Sequence, residues 1–198
     1  MTPTIYADKI FYYENAISQP EKIVELLEST DSSLSDNDAI TPWNIWQSPK
    51  GDSMYVFGSQ KHTDKSKLGT SSEGVRLIYQ TLADALFKCG KHYCDTLGIQ
   101  HIEPSPISIS KYQKGAEMGS HVDWYGDPMV EPIMSAVLYL NDDCVGGELD
   151  FPEMDVTIKP KAGSIVIFPS VAPYYHQSLI VESGTKYMSP AFWIRHLG

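Results

Sequence analysis

The hydrophobic pattern of this chain changes near Gly98, from a helical period before it to a period of two after it. Beyond Gly98, short alternating or β-branched stretches are separated by Gly, Pro, Asn or Asp. We predict eight strands there, near 105–113, 118–124, 133–141, 146–151, 155–159, 164–169, 175–181 and 186–195. So many short strands in roughly ninety residues predict a two-sheet jelly roll, a double-stranded β-helix, or a barrel.

Two helices are predicted before Gly98. Ser18-Gln19-Pro20-Glu21 has capping-box spacing, and an apolar stripe follows it. From Ser72 to Leu97, apolar side chains recur at helical spacing until Gly98 ends the pattern. The mostly polar stretch between these two regions gives no clear prediction. We therefore expect a mainly β protein with flanking α-helices.

The stretch from Ile133 to Asn141 predicts how these layers pack. Side chains on one face of a strand are separated by two residues. One face is apolar and is expected to lie under the N-terminal helices, and it carries Met134, Ala136, Leu138 and Leu140. The other face, with Tyr139, is expected to point into the jelly roll. We expect one domain over 1–198, with an N-terminal support region of helices and loops at 1–98 and a jelly-roll core at 99–198.

Charge and composition exclude several classes of function. The net charge is −10 and the pI is about 4.9, so a nucleic-acid backbone would be repelled. No stretch approaches the ~18 apolar residues of a membrane span, and the first ten residues lack the pattern of a signal peptide. Three cysteines without CxxC spacing indicate a reducing compartment. We expect a soluble, cytoplasmic protein.

His121, Asp123 and His176 form a candidate metal site. In a strand, residues i and i+2 point to the same side, so His121 and Asp123 can converge on one ion while Val122 points away. His176 lies in a later strand-like stretch that could neighbour the first. Two histidines and one carboxylate are the facial set that holds non-haem Fe(II) and leaves positions open. Catalytic zinc stays possible, whereas a closed structural zinc site would need further ligands.

The motifs of the C-terminal half resemble a known family, the Fe(II)- and 2-oxoglutarate-dependent oxygenases, and within it the prolyl 4-hydroxylase-like branch. The resemblance covers Ile107 to Arg195. Its motifs are, in order, Lys111-Tyr112, His121-Val122-Asp123, Leu138-Tyr139-Leu140-Asn141, Gly146-Gly147-Glu148-Leu149, Lys159-Pro160-Lys161-Ala162-Gly163, Ile167-Phe168-Pro169, His176 and Gly184-Thr185-Lys186.

The resemblance implies roles for these residues. His121, Asp123 and His176 would be the iron ligands. Lys186 would pair with the distal carboxylate of 2-oxoglutarate, helped by the Tyr139 hydroxyl, and Tyr112 would be a further residue of the co-substrate pocket. The resemblance also implies that O2 and 2-oxoglutarate are consumed, that succinate and CO2 are released, and that a C–H bond is hydroxylated. Asp123 favours hydroxylation over halogenation, because related halogenases leave the carboxylate position empty for chloride.

The substrate predicted from the resemblance is a peptidyl proline. Candidate substrate-channel residues are Trp124, Tyr125, Trp193 and Arg195, and the stretch from Gly58 to Ser72 could close over a peptide. Three alternatives stay open. The substrate could be a free amino acid or small metabolite, the jelly roll could be a metal-binding module without turnover, or a cupin-like enzyme could use the same ligands without a 2-oxo acid. Lys186 has no assigned role in a cupin-like enzyme.

Overall fold

The computed structural model describes residues 2–29, 43–47, 53–57, 73–100, 104–105, 107–123 and 130–196. These ranges contain two α-helices, α1 (Pro20–Ser29) and α2 (Glu73–Leu97). They also contain fourteen strands: β1 (Thr4–Tyr6), β2 (Ile10–Tyr13), β3 (Trp43–Gln47), β4 (Ser53–Phe57), β5 (Ser110–Gln113), β6 (Met118–His121), β7 (Val130–Tyr139), β8 (Val145–Gly146), β9 (Leu149–Phe151), β10 (Val156–Ile158), β11 (Ile165–Pro169), β12 (His176–Ser178), β13 (Val181–Ser183) and β14 (Thr185–His196).

The strands form two main antiparallel sheets. The larger sheet has the order β1-β2-β11-β7-β14-β5-β4-β3, and the smaller has the order β10-β9-β12-β6. A short ribbon pairs β13 with β8. Apolar residues of both main sheets meet in one buried cluster, which includes Val137 and Phe168 from the larger sheet and Leu149 and Phe151 from the smaller one. The predicted jelly roll is confirmed.

A second core lies on the other face of the larger sheet. Residues of α1 and α2, such as Leu27, Leu82 and Leu86, pack there against the apolar face of β7. That face carries Met134, Ala136 and Leu138, with Leu140 just beyond the strand, as the alternation predicts. Tyr139 belongs to the core between the sheets. The helices therefore support one face of the larger sheet, and the opposite face is left for the interior of the roll.

Both predicted helices are present, and each begins and ends close to its sequence signals. The proline at the first position of α1 removes an N–H that would have no helical partner there. Gly98 follows α2 with a φ of 66°, a left-handed conformation that favours glycine after a helix. Neither helix, within the described ranges, combines the length and apolarity needed to cross a bilayer.

The strand prediction needs two corrections. Two of the eight predicted stretches divide: 146–151 covers parts of β8 and β9, and 175–181 covers β12 and the start of β13. The part before Gly98, expected to hold helices and loops, also contains β1 to β4. β2 pairs with β11, and β4 pairs with β5. These N-terminal strands extend the larger sheet through partners distant in sequence, which local patterns do not reveal.

Candidate active site

The three candidate metal ligands meet at the end of the smaller sheet. β6 and β12 are antiparallel neighbours, and His121 and His176 lie directly opposite each other in their register. Asp123 follows two residues after His121, and its backbone N–H donates to the carbonyl oxygen of Ser170, 3.1 Å away. Ser170 comes directly after β11 of the larger sheet. The site is therefore fixed by both main sheets of the jelly roll.

The side chains of these residues converge on one point. Nε2 of His121 lies 3.4 Å from Oδ1 of Asp123, and Nε2 of His176 lies 3.6 Å from Oδ2 of the same carboxylate. One ligand atom from each residue lies within 4.8 Å of the others. The imidazole ring centroids are 4.4 Å apart. Two nitrogens and a carboxylate oxygen so arranged can bind one divalent ion from a single side.

Backbone carbonyls orient both imidazoles. Nδ1 of His121 lies 2.7 Å from the carbonyl oxygen of Gly119, and Nδ1 of His176 lies 3.2 Å from that of Tyr174. A carbonyl can only accept a hydrogen bond, so each Nδ1 carries a proton and, in the neutral ring, leaves the Nε2 lone pair toward Asp123. Metal-ligating histidines are oriented in this way by their other ring nitrogen.

The charge state of the site also suits a cation. Burial raises the pKa of Asp123, but polar contacts with His121, His176 and Ser135 outweigh burial and hold that pKa below its ordinary value. Burial lowers the pKa of His176, which favours the neutral imidazole. Neutral histidines and an ionised carboxylate are the forms that bind metals. The donor set therefore fits a divalent ion.

The surroundings of the triad differ from one side to the other. The rings of Phe168 and Phe151 pack against His176, with centroid distances of 4.6 and 5.9 Å. The His176 side chain is 7% exposed, whereas the His121 side chain is 31% exposed. Access to the triad is therefore from the side of His121, and an apolar wall shields His176 from water.

Lys186 is a buried charge inside the roll. Only 2% of the residue is exposed, and its Nζ donates to the carbonyl oxygen of Gly147 and to Oγ of Ser178, each 2.7 Å away. Nζ also lies 5.1 Å from the ring centroid of Tyr112 and 5.5 Å from that of Tyr139. Burial lowers the pKa of Lys186 to about 8. A buried ammonium group is costly unless an anion compensates for its lost hydration.

The hydroxyl of Tyr139 is the second polar group of this pocket. It is buried, and it has no hydrogen-bond partner among the described residues. A buried donor left unsatisfied costs free energy, so it calls for a ligand, a water or a functional role. An anion next to the Lys186 ammonium would satisfy both groups. The pocket therefore fits a carboxylate group.

The structure does not bring every predicted site residue to this pocket. Trp193 is fully buried in the helix-covered core, against Gly90 of α2, so its predicted role in a substrate channel is wrong. In a regular strand, Lys186 and Trp193 point to opposite faces because their numbers differ by seven. Arg195 forms a surface ion pair with Glu131, 3.0 Å away, and does not contact the triad. Trp124, Tyr125 and the stretch from Gly58 to Ser72 lie outside the described residues.

Two further groups of the site were missed by sequence reasoning. Ser178 accepts a hydrogen bond from Lys186, and its position two residues after His176 in one strand was the signal that could have found it. Oγ of Ser135 lies 2.8 Å from Oγ of Ser170, beneath Asp123. This serine pair links β7 to the residue after β11, and no local sequence pattern reveals such a long-range contact.

Comparisons with known proteins agree with this site. Residues 107–195 match the family described as the 2OG-Fe(II) oxygenase superfamily. A segment of 64 residues is 42% identical to Prolyl 3-hydroxylase 2 of Homo sapiens, and it covers 30% of this chain but only 9% of that protein.

Solved structures share the fold. A Trichoplax adhaerens prolyl hydroxylase in complex with a hypoxia inducible factor peptide fragment aligns with a TM-score of 0.68, at 14% identity, over 94% of this chain and 84% of its own. A Pseudomonas putida prolyl-4-hydroxylase aligns with a TM-score of 0.61, at 18% identity, over 95% and 93%. The viral collagen prolyl hydroxylase of Paramecium Bursaria Chlorella virus-1, a 2OG complex, aligns with a TM-score of 0.60, at 16% identity, over 97% and 98%.

The jelly roll and the two-histidine, one-carboxylate cluster agree with the match of residues 107–195 to the 2OG-Fe(II) oxygenase superfamily. The solved structures named above, which share the fold, are prolyl hydroxylases. The family resemblance found in the sequence motifs is thus confirmed. The match implies Fe(II), 2-oxoglutarate and O2 as the metal, the co-substrate and the oxidant.

Proposed function

We propose that this protein hydroxylates a peptidyl proline at a ring carbon, using Fe(II), 2-oxoglutarate and O2. One oxygen atom of O2 enters the new hydroxyl group and the other enters succinate, with release of CO2. The observation that carries this proposal is the pairing of two features inside one roll. His176 of the metal triad lies two residues before Ser178, which accepts a hydrogen bond from the buried ammonium group of Lys186. That ammonium group lies 5.5 Å from the ring of Tyr139, whose hydroxyl is unsatisfied among the described residues.

In this proposal His121, Asp123 and His176 hold the metal. When bound there, Fe(II) supplies the oxygen chemistry, since three protein donors leave positions for a chelating 2-oxo acid and for O2. The Asp123 carboxylate offsets part of the charge of the ion, and its burial strengthens that attraction. The carbonyl groups of Gly119 and Tyr174 keep both Nε2 atoms aimed at the ion. The rings of Phe151 and Phe168 keep water from His176.

Lys186 and Tyr139 bind the far end of the co-substrate in this proposal. The ammonium group has three protons, of which Gly147 and Ser178 accept two, so one proton is free for a carboxylate. The Tyr139 hydroxyl can donate to the same carboxylate. Because both groups are buried, the resulting charge-assisted hydrogen bonds are stronger than in water. A cupin-like enzyme without a 2-oxo acid would give no role to the third ammonium proton of Lys186 and would leave the Tyr139 hydroxyl unsatisfied.

The choice of proline as the substrate residue rests on the similar proteins. The segment similar to Prolyl 3-hydroxylase 2 and the fold shared with a prolyl hydroxylase bound to a peptide both support a peptide substrate. We propose that Trp124 and Tyr125, directly after Asp123, contact the pyrrolidine ring. Their rings offer apolar faces suited to such a group.

We further propose that residues 1–198 act as one oxygenase domain in a reducing, cytoplasmic setting. The helix-covered core supports the first part, because it joins Phe11 near the start of the chain to Trp193 near its end. The cysteine pattern supports the second, because an odd number of cysteines without CxxC spacing fits a reducing compartment better than a disulfide framework; these are Cys89, Cys94 and Cys144.

A product map tests the proposed function. The Fe(II)-loaded protein is incubated with 2-oxoglutarate and O2, first with a library of proline-containing peptides and then with free proline and other small metabolites. We expect peptides that gain the mass of one oxygen atom on proline, with succinate formed in equal amount. The Asp123→Ala variant should form neither product. Oxidation of a free metabolite alone would refute the peptidyl substrate, and no 2-oxoglutarate turnover with any substrate would point to a metal-binding module.

A further inference from the structure

We infer that Ser178 is a positioning residue for the co-substrate: it holds the Lys186 ammonium group in place and so selects 2-oxo diacids of five carbons. This inference rests on the proposed function. It concerns a residue whose neighbours His176 and Lys186 have assigned roles, and to which neither the family resemblance nor the metal geometry gives any part.

Ser178 lies in β12, two residues after the proposed metal ligand His176. This strand has alternating burial, with His176 and Ser178 buried and Gln177 between them half-buried. Residues i and i+2 of a strand point to the same side, about 6–7 Å apart along it. His176 and Ser178 therefore face the inside of the roll together. The strand β12 therefore sets the distance between His176, a proposed metal ligand, and Ser178, which contacts the Lys186 ammonium group.

The Lys186 ammonium group is held by two hydrogen bonds. Its two acceptors come from different segments: the carbonyl oxygen of Gly147 lies just after β8, and Oγ of Ser178 lies in β12. Within the ranges that the structure describes, Ser178 supplies the side-chain acceptor. The hydroxyl proton of Ser178 has only a long contact, 3.5 Å from the carbonyl oxygen of Leu179. It is therefore available to donate to a carboxylate bound by Lys186.

The Lys186 side chain packs closely against Gly147 on one side of the pocket. Gly147 has a φ of 74°, and a Cβ placed there would lie 3.0 Å from Cδ of Lys186. The lysine stem thus passes directly over the glycine backbone and cannot shift toward it. Removal of the Ser178 hydroxyl would instead let the ammonium group move away from Gly147, because the four-carbon stem of lysine is flexible.

The position of the Lys186 ammonium group determines which chain length of 2-oxo acid can bind. A 2-oxo acid that chelates the metal reaches Lys186 only if its chain spans the set separation. A fixed ammonium group discriminates against the four-carbon oxaloacetate and the six-carbon 2-oxoadipate. An ammonium group that can move discriminates less. Ser178 therefore affects both the affinity for 2-oxoglutarate and the preference among these three acids.

Calorimetric titration of the Fe(II)-loaded protein without oxygen tests this directly. Each of the three acids is titrated into the parent protein and into Ser178→Ala, Ser178→Thr and Ser189→Ala. Ser189 is a matched control: it is a fully buried serine in the strand that carries Lys186, and its hydroxyl donates to the carbonyl oxygen of Ser108. Metal affinity is measured for every variant, because Ser178 lies close to His176.

In Ser178→Ala we expect 2-oxoglutarate to bind about tenfold more weakly, as for the loss of a hydrogen bond to a charged group. The ratio of the affinity for 2-oxoglutarate to the affinities for oxaloacetate and 2-oxoadipate should fall by a similar factor in this variant. Ser178→Thr keeps the hydroxyl and should restore both, whereas Ser189→Ala should change neither. Metal affinity should be equal in all four proteins.

The outcomes separate this inference from the proposed function. If the parent protein binds none of the acids, the proposed co-substrate is wrong and the inference falls with it. If the parent binds 2-oxoglutarate and Ser178→Ala binds it equally well with the same preference, only the role of Ser178 is refuted. A loss of metal affinity in Ser178→Ala together with Ser178→Thr would make Ser178 a support for His176, and would also overturn the inference.

Discussion

Asp123 is the buried acid on which the proposed metal site depends. Its two carboxylate oxygens each face one imidazole, so Asp123→Ala removes the only anionic donor of the cluster formed by the described residues. We expect Fe(II) affinity to fall at least tenfold and turnover to be lost, as calorimetry and succinate formation would show. Asp150→Ala is the control, because that acid lies in the same sheet and bonds to Thr157 and Gln177. Unchanged metal affinity in Asp123→Ala would disprove the triad.

Lys186 should decide how tightly 2-oxoglutarate binds. Lys186→Ala leaves a carboxylate in a closed pocket without its countercharge, a loss of about 2–5 kcal/mol, or roughly 30-fold to several thousandfold in affinity. Tyr139→Phe removes one neutral donor and should weaken binding less. The measurement is the KM for 2-oxoglutarate, with the KM for the peptide as the internal control. If the KM for 2-oxoglutarate were the same in Lys186→Ala and in the parent protein, the cupin-like alternative would be open again.

The lowered pKa of Lys186 predicts a pH dependence. A lysine with a pKa of about 8 is charged below that pH and loses its proton above it. Since only the charged form pairs with a carboxylate, 2-oxoglutarate affinity should be steady below about pH 7 and should fall above pH 8 by up to tenfold per pH unit. Titrations from pH 6.5 to 9.5 in several buffers would show the fall and the proton uptake. An affinity that stays constant to pH 9.5 would contradict the lowered pKa of Lys186, whereas the anchor role itself is tested by Lys186→Ala.

The side chains of the site could be predicted to different degrees. The i and i+2 spacing of His121 and Asp123 is local, and the sequence order of the motifs pointed to His176 and Lys186. Alternation could also have excluded Trp193, which lies an odd number of residues from Lys186 in one strand. The Ser178 contact with Lys186 depends on how β12 and β14 are placed in space. The distance between Ser178 and Lys186 cannot be derived from a single sequence.

Most elements of the C-terminal half were predictable because turn residues separate apolar or alternating stretches there. Gly, Pro, Asn and Asp between the strands β5 to β14 mark where most of these strands begin and end. β1 and β2 are short, and β2 is buried along its whole length, which removes the alternation. Their strand state depends on pairing with β11 across about 150 residues.

The contact between α2 and the larger sheet depends on one small residue. A Cβ added at Gly90 would lie 2.6 Å from the ring of Trp193, which is fully buried and cannot move aside. Gly90→Ala gains about 1 kcal/mol in helix propensity, but overpacking costs about 1–3 kcal/mol. Because the clash involves a rigid ring, we expect a net loss of about 1–2 kcal/mol in urea unfolding.

Gly74 provides the matched control for this prediction. It lies in the same helix, and a Cβ added there would meet Leu26 at 3.6 Å, an ordinary contact distance. Gly74→Ala should therefore leave the stability unchanged or slightly higher. A Gly90→Ala protein as stable as Gly74→Ala would show that Trp193 does not constrain α2.

In the molecule as a whole, support and chemistry occupy opposite faces of the larger sheet. The helices cover one face, and the proposed metal and co-substrate groups lie on the side of the core between the sheets. β7 shows both functions, since Leu138 packs toward the helices and Tyr139 next to it lies in the pocket. Substitutions under the helices should therefore change stability, whereas substitutions inside the roll should change binding.

This division gives a prediction for the whole fold. A ligand that binds only the folded state at 100 times its Kd stabilises that state by about 2.7 kcal/mol. In a domain of this size that raises the Tm by about 5–10 °C. We expect Fe(II) without oxygen to raise the Tm, and 2-oxoglutarate to raise it further only when the metal is present, because chelation and the Lys186 pair act on one molecule.

The variants should separate the Tm increase caused by Fe(II) from the Tm increase caused by 2-oxoglutarate. Asp123→Ala should lose both increments, since neither the metal nor the chelating end of the acid can bind. Lys186→Ala should keep the increment from Fe(II) and lose most of that from 2-oxoglutarate. Gly90→Ala should begin from a lower Tm and keep both increments, because Trp193 lies on the helix side of the sheet. If 2-oxoglutarate raised the Tm of the metal-free protein as much as that of the metal-loaded protein, the acid would be held by Lys186 alone and would not reach the triad.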